Sequence, residues 1–195
     1  GGTLTVGAAI RPADAAFPTA LVYTQTGGTV ILSNNKANAP NATSPGVNQN
    51  TVADLLIRNS SSQFNMSGGL LRIDRRNAVG GTGGSGVAIR IDAVTHNVTG
   101  GTVQVISSAT NVNQPCAIVS VAPFWNLQIG DGISYTSNVG GSQLTPQDFT
   151  VLNNFTLNIG GEFRLYRVVG TTAQESRNFT VGGNFTAQNG TFAVG

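Results

Sequence analysis

Residues Phe64 to Ile73 form the stretch FNMSGGLLRI, in which two apolar alternations flank a pair of glycines. Phe64 and Met66 alternate with polar residues before the glycines, and Leu71 and Ile73 stand two residues apart after them. Side chains two residues apart lie on the same face of a β-strand. Glycine reaches positive φ without a Cβ clash, so a glycine pair lets the chain turn sharply. The stretch therefore predicts two short strands joined by a Gly-Gly corner.

Similar units recur along the chain, with clear copies at Tyr23–Leu32, His96–Val105, Phe155–Leu165 and Phe179–Val194. Glycine pairs begin at residues 1, 27, 68, 100, 140, 160 and 182. Most of the gaps lie near one or two multiples of about 20 residues, and such a period indicates a solenoid.

We therefore expect an all-β fold, a right-handed parallel β-helix of about 20-residue coils with Gly-Gly corners and loop insertions. Residues 1–195 would form a single β-solenoid segment of roughly eight to ten coils, as a fragment of a longer repetitive chain. An antiparallel sandwich, in which each unit is a hairpin, is the alternative architecture.

Charge is scarce in this sequence. Only 18 of the 195 residues are Asp, Glu, Lys or Arg, and the net charge is +2. An ordinary soluble domain carries about 25% charged residues, and nucleic-acid binding needs a dense basic face. The composition therefore argues against nucleic acid as a partner, and it gives each repeat a polar face made of Thr, Asn and Ser.

Four polar or glycine-rich stretches separate the units and are predicted to be loops: 36–50, 77–86, 107–115 and 134–147. Such insertions concentrate on the surface of repeat proteins. The single cysteine, Cys116, excludes an internal disulfide, and its apolar setting CAIVSVA predicts a buried, inert thiol.

Few residues are candidates for catalysis or metal binding. His96 is the only histidine, and we expect it at the surface or at a strand edge. One histidine and one cysteine do not supply a metal site. The glycine-rich stretch Gly80–Gly86, GGTGGSG, lacks the Lys-Ser/Thr of a phosphate loop and the Asp of a calcium-binding repeat, so it is predicted to be a flexible loop.

Asp74 and Asp92 both end an R-I-D motif, and their spacing is close to the expected repeat, so they could stack on adjacent coils. Arg72 and Arg90 would then pair with them in a ladder of opposite charges on the polar face. The alternative is a carboxylate cluster of the kind that carbohydrate-active β-helix enzymes use.

The motifs NFTVGGNFT (178–186) and LNIGGEF (157–163) resemble the strand repeats of giant Bacteroidetes cell-surface adhesins of the SprB-like type. The resemblance implies a long extracellular rod on the bacterial surface, exported by the type IX secretion system and involved in gliding motility. It carries over no functional residues.

The sequence thus predicts a structural and adhesive segment that is not an enzyme, with no catalytic, cofactor-binding or metal-binding residues. Its partners would be neighbouring coils of the same chain, glycans or solid surfaces, with no nucleic acid and no membrane insertion in this segment. The alternatives are a carbohydrate-active β-helix enzyme or a glycan-binding module. An ice-binding solenoid would need a Thr-x-Thr ladder, which Thr3-x-Thr5 and Thr24-x-Thr26 begin but later units do not continue.

Overall fold

The structure, a computed structural model, describes residues 1–7, 9–11, 20–33, 53–58, 61–74, 86–106, 116–132, 142–144, 148–164 and 178–193. These ranges contain β-strands and no helix, which confirms the all-β prediction for this part of the chain. The strands are β1 Thr3–Val6, β2 Val22–Gln25, β3 Thr29–Ser33, β4 Ala53–Ile57, β5 Gln63–Asp74, β6 Gly86–Ile91, β7 Thr95–Ile106, β8 Cys116–Ser120, β9 Asn126–Gly130, β10 Ser142–Leu144, β11 Phe149–Val151, β12 Phe155–Arg164, β13 Phe179–Val181 and β14 Phe185–Ala193.

The strands pair in parallel and form three ladders, which we call A, B and C. Ladder A joins β1, β3, the second half of β5, the second half of β7, β9, and the first halves of β12 and β14. Ladder B joins β4, β6, β8, β10 and the second halves of β12 and β14. Ladder C joins β2 to the first halves of β5 and β7, and separately joins β11 to β13.

The chain visits the ladders in a fixed cyclic order, A, then B, then C. Each visit to ladder A starts a new level, and we number these levels 1 to 7 from β1 to β14. One residue of a single ladder A column marks each level in turn: Leu4, Val30, Leu71, Val103, Leu127, Phe155 and Phe185.

The spacing of these seven residues corrects the predicted repeat. Every step from one level to the next is longer than the expected coil of about 20 residues, and the steps differ in length. The parallel pairing of the ladders also rules out the alternative of stacked antiparallel hairpins.

The repeat length was underestimated because one sequence motif makes two different corners. Gly68–Gly69 and Gly100–Gly101 lie between ladders C and A, inside β5 and β7. Gly160–Gly161 lies inside β12, where the chain passes from ladder A to ladder B. Counting every glycine pair as the same point of the repeat therefore shortens the apparent period.

The core is built from columns of side chains that point to the inner face at successive levels. One column on ladder A contains Leu71, Val103, Leu127 and Phe155, all buried. A second joins Leu32, Ile73, Val105, Ile129 and Leu157. Since coils of a parallel stack repeat every ~4.8 Å, equivalent side chains are in van der Waals contact from level to level.

A row of aromatic rings runs along ladder C and connects its two parts. Tyr23 stacks on Phe64 with ring centroids 5.6 Å apart, and Phe64 meets Phe124 edge-on at 6.1 Å. Phe124 in turn meets Phe149 at 5.4 Å, and Phe149 stacks on Phe179 at 6.0 Å. Ring pairs in these geometries add roughly 0.5–1.5 kcal/mol each beyond their buried area.

The structure tests only part of the predicted loops. Residues 142–144 of the predicted loop 134–147 form β10, which pairs with β8 and β12, so the loop prediction is wrong there. Residues 36–50, 77–85, 107–115, 133–141 and 145–147 lie outside the described ranges, and Gly86 begins β6. Cys116 begins β8, and its side chain lies outside the described part.

Candidate functional site

His96 lies in the first half of β7, where it is exposed and in register with Phe64 of ladder C. This confirms the predicted surface position. Within the described ranges no three His, Cys, Asp or Glu residues are grouped closely enough to hold a metal ion. The same ranges contain no helix long and apolar enough to cross a membrane.

The predicted stacking of Asp74 on Asp92 is wrong. Asp74 ends β5 on ladder A, in register with Ser33 and Ile106. Asp92 follows β6, which belongs to ladder B. The two R-I-D motifs are alike in sequence but occupy different faces of the stack.

The predicted arginine partners are correct for one of the two acids. Arg90 Nε donates to Asp92 Oδ2 at 2.8 Å, and Arg58 Nε lies 3.5 Å from the same oxygen. Arg72 Nε donates to Gln104 Oε1 at 2.8 Å. Asp92 therefore sits between two guanidinium groups on ladder B, where the pairs are partly exposed to solvent.

Asparagine side chains at the start of ladder A link successive levels. Asn126 Oδ1 accepts hydrogen bonds from the Asn154 backbone N–H at 3.2 Å and from Asn153 Nδ2 at 3.0 Å. Asn154 Oδ1 accepts from the backbone N–H of Asn184 at 3.0 Å. We call Asn126, Asn154 and Asn184 the asparagine column, since each stands immediately before an inward-facing residue of ladder A at levels 5, 6 and 7.

The asparagine column also reaches back to level 4. Asn126 Nδ2 donates to the backbone carbonyl of Gly101 at 3.1 Å, and it lies 3.4 Å from Thr102 Oγ1. One amide thus bonds three levels, because its oxygen faces one neighbour and its nitrogen the other. An amide side chain carries the same donor and acceptor groups as the backbone, so it can extend a ladder past the last backbone pair.

A related bond forms where the chain enters ladder C. Asp148 Oδ1 accepts from the Asn178 backbone N–H at 2.9 Å, and Asp148 Oδ2 lies 3.3 Å from Asn178 Nδ2. Phe149 and Phe179, the next residues, are in register. The sequence signal for these contacts is the recurring motif N-F-T at 154, 178 and 184, with D-F-T at 148. The composition predicted asparagine on the polar face of each repeat, but not that the asparagines bond one another.

Glutamines on the same face of ladder A, two residues further along the strands than the asparagines, add further hydrogen bonds. Gln104 Nε2 donates to the Gly130 carbonyl at 3.1 Å, and Gln128 Nε2 donates to the same oxygen at 3.2 Å. Arg72, Gln104 and Gln128 are in register at levels 3, 4 and 5. Arg72 and Gln104 therefore each bond to the next strand of the ladder, and the Gln128 bond lies within β9.

A shallow open groove of about 480 Å³ lies along the first two levels, at the corner between ladders C and A. Residues 1–4 and 26–30 line it, and they are glycine, threonine, leucine and valine. Its lining offers backbone amides and hydroxyls, and none of the lining side chains is titratable.

Comparison with protein-family models, with curated proteins and with solved structures found no match.

Proposed function

We propose that this chain is a structural and adhesive segment of an extracellular cell-surface protein, folded as a right-handed parallel β-helix. The observation that carries the proposal is the use of the polar side chains: the asparagine and glutamine columns bond one level to the next. A chain whose amides and arginines serve coil-to-coil bonding is suited to bearing load along its axis.

The cyclic order of ladders A, B and C supports the β-helix. A chain that returns to the same face after each circuit, always in parallel pairing, winds round a common axis. Parallel pairing puts the hydrogen bonds of every level along that axis, so pulling on the stack distributes force over several ladders at once.

The exposed surface supports an adhesive role. On ladder C, Thr24, Asn65 and Asn97 form a row at three successive levels, and Thr24 and Asn97 are exposed. Hydroxyl and amide groups repeated along a rod can make many weak contacts at once, and linked weak contacts produce strong overall attachment. We infer that neighbouring coils of a longer chain, glycans or solid surfaces are the partners, on a bacterial cell surface.

The resemblance to SprB-like adhesins extends the proposal to gliding motility and export by the type IX secretion system. The alternatives to this proposal are a carbohydrate-active β-helix enzyme and a glycan-binding module. Because Asp92 is bracketed by two arginines and Asp74 lies on another ladder, the two residues favoured for an enzyme are separated.

Adhesion of beads coated with the chain, measured under flow on polysaccharide-coated and bare surfaces, tests the proposal. We expect retention of the coated beads, and weaker retention for the double variant Thr24→Ala and Asn97→Ala. Val94→Ala, at another exposed position, is the control and should retain wild-type adhesion.

Incubation with a panel of polysaccharides tests the enzyme alternative. The proposal expects no cleavage products. If the chain cleaved a polysaccharide and Asp74→Asn or Asp92→Asn abolished the cleavage, the chain would be an enzyme and the structural proposal would be wrong.

A further inference from the structure

Ladder C is interrupted inside the stack. The first half of β7, Thr95–Val98, pairs with β5 on one side, and none of the described strands pairs with it on the other. The ladder resumes at level 5 with β11, which pairs with β13. The interruption therefore lies at level 4, between described strands at levels 3 and 5.

The chain at level 4 is too short to supply the missing strand. At level 3 it passes from Ile91 on ladder B to Thr102 on ladder A through the stretch DAVTHNVTGG. At level 4 it passes between the residues in register with these, Ser120 and Asn126, through only VAPFW. All of this stretch is described. Its proline, Pro123, also lacks the N–H group that a ladder needs.

Level 4 fills the core at this place but leaves the surface uncovered. Phe124 is the residue of VAPFW that bridges to β11, and its buried ring contacts the rings of Phe64 and Phe149. His96 is in register with the fully buried Phe64, yet it is exposed. Residues 94–97 are all exposed. The edge of β7 is therefore open to solvent beside a closed core.

The backbone groups on this edge follow from the register. Successive residues of a parallel strand turn their N–H and C=O groups alternately toward the two neighbouring strands. The Gln63 N–H donates to the Leu21 carbonyl on the β2 side, so the next residue of β5 turns toward β7. In β7, Thr95 and Asn97 then turn back toward β5, and His96 faces the open side with its N–H and C=O groups.

The open edge lacks the usual protection. Proteins guard strand edges with charged residues or proline, but residues 93–99, AVTHNVT, contain no Asp, Glu, Lys, Arg or Pro. Because neighbouring strands lie ~4.8 Å apart and β11 stands two levels from β7, the space beside the edge is one strand wide. It can take a single extended segment. A second copy would not fit, because the strand behind its own edge would overlap β11.

We propose that this edge binds one extended peptide segment of a partner protein, which pairs with β7 and restores ladder C at level 4. The peptide is uncharged, like the edge. Its inward side chains are small, since the Phe124 ring already fills the core at this level. Its outward side chains are Thr or Asn, like Asn65 and Asn97 at levels 2 and 3. The proposal goes beyond the adhesive role, since it depends on backbone pairing and not on glycans or solid surfaces.

The probe is the uncharged peptide dansyl-Thr-Ala-Thr-Ala-Thr-amide, and fluorescence anisotropy measures its binding to the full chain. His96→Pro and His96→Ala are the matched variants. His96→Pro removes the N–H group that faces the open side and leaves the pairing of Thr95 and Asn97 with β5 in place. His96→Ala keeps that N–H group and removes only the imidazole. Circular dichroism and melting temperature check that both variants fold.

We expect the wild type and His96→Ala to bind the peptide equally well, and His96→Pro to bind it at least about tenfold more weakly. The same peptide methylated on every backbone nitrogen should not bind, because it has the side chains without the N–H donors of a strand. This second comparison needs only the wild type, so it tests the proposal even if the proline unfolds the chain.

Other outcomes overturn the proposal. A wild type that leaves the anisotropy unchanged at millimolar concentration shows that the edge takes no peptide. Equal binding by His96→Pro, or binding of the methylated peptide, shows that the contact is not backbone pairing at this edge. A wild type that dimerises while His96→Pro stays monomeric makes a second copy the occupant. None of these results bears on adhesion, which the bead assay measures separately.

Discussion

At the scale of the residue, uncharged amide side chains link successive levels of ladder A. Asn126 accepts from Asn154 and Asn153 and donates to Gly101, so one side chain holds levels 4, 5 and 6 together. A neutral amide can be repeated at every level without the repulsion that stacked like charges suffer. This gives a structural reason for a sequence with 9% charged residues.

Truncating Asn126 should therefore destabilise the protein. Asn126→Ala removes the partners of an Asn154 N–H and an Asn153 amide that are partly buried, and each such loss costs about 1–3 kcal/mol. We expect the free energy of unfolding in urea to fall by ~2 kcal/mol. Asn97→Ala, at an exposed position of β7, is the control and should change it by less than about 0.5 kcal/mol. Equal effects of the two substitutions would contradict the role of the asparagine column.

Tyr23 should make the free energy of unfolding depend on pH in the alkaline range. Its side chain is buried, its hydroxyl donates to Gln25 Oε1 at 2.6 Å, and burial raises the pKa of the phenol above its ordinary value of 10.0. Above that pH the unfolded chain loses the phenol proton while the folded chain keeps it, so unfolding releases a proton. The free energy of unfolding should then fall as pH rises, by up to about 1.4 kcal/mol per pH unit.

The measurement is urea unfolding below and above pH 10.0. Tyr23→Phe should lower stability by ~1 kcal/mol at neutral pH, because the hydrogen bond to Gln25 is lost. It should also flatten the alkaline slope. A variant with the wild-type slope above pH 10.0 would show that another group causes the dependence.

At the scale of the element, the corner between ladders C and A sets the geometry of each level. Gln25 Nε2 donates to the carbonyl of Leu70 at 3.1 Å, and it lies 3.4 Å from the carbonyls of Gly27 and Gly28. The side-chain amide of Gln25 thus contacts backbone carbonyls at the corners of both level 2 and level 3. Such a shared contact requires the backbones to approach closely, and this is where glycine is needed.

Gly69 and Gly27 provide a matched pair of substitutions at these corners. Gly69 has φ +85°, and a Cβ there would lie 2.6 Å from the Gly28 carbonyl oxygen. Gly69→Ala should cost at least about 2 kcal/mol, from the left-handed conformation and the overlap together. Gly27 has no atom within 4 Å of its Cβ position and no left-handed φ, so Gly27→Ala should change stability by less than about 1 kcal/mol.

Thermal and urea unfolding of both variants measure the difference. If Gly27→Ala were as destabilising as Gly69→Ala, the corner would be sensitive to any side chain, and the left-handed φ would not be the cause.

The sequence could predict these elements where the signal is local. The alternation of Phe64, Met66, Leu71 and Ile73 correctly placed all four side chains in the core. The repeat length could not be predicted in the same way, because Gly100–Gly101 and Gly160–Gly161 look alike but make different corners. Which corner a pair makes depends on the ladder that follows, and that is a property of the pairing between levels.

The hydrogen bonds of the polar columns could not be predicted from the sequence for the same reason. The step from Asn126 to Asn154 differs in length from the step from Asn154 to Asn184, so no constant spacing marks the asparagine column. For Asp74 and Asp92 the sequence spacing misled in the other direction. Their spacing is close to the expected repeat and predicted that they stack, but the fold puts them on different ladders. Insertions between ladders change the spacing without changing the register.

At the scale of the whole molecule, the strands of each described level pair only with the strands of the levels directly before and after it. Leu71 is in register with Val103, Val103 with Leu127, and Leu127 with Phe155. The energetics of such a stack are a sum of terms for single levels and for neighbouring pairs. Distant levels should therefore be energetically independent although they share one continuous core.

Double-mutant cycles along this column test that independence. Leu71 and Val103 are buried neighbours, so Leu71→Ala and Val103→Ala should be non-additive, with a coupling of about 0.5–3 kcal/mol. Phe155 lies three levels from Leu71, roughly 14 Å at the spacing of paired strands. Leu71→Ala and Phe155→Leu should then add to within about 0.5 kcal/mol in urea unfolding. If the coupling free energy of the distant pair were as large as that of the adjacent pair, the levels would not be energetically independent. The effect of a substitution would then pass along the whole stack, and the core would unfold as one unit.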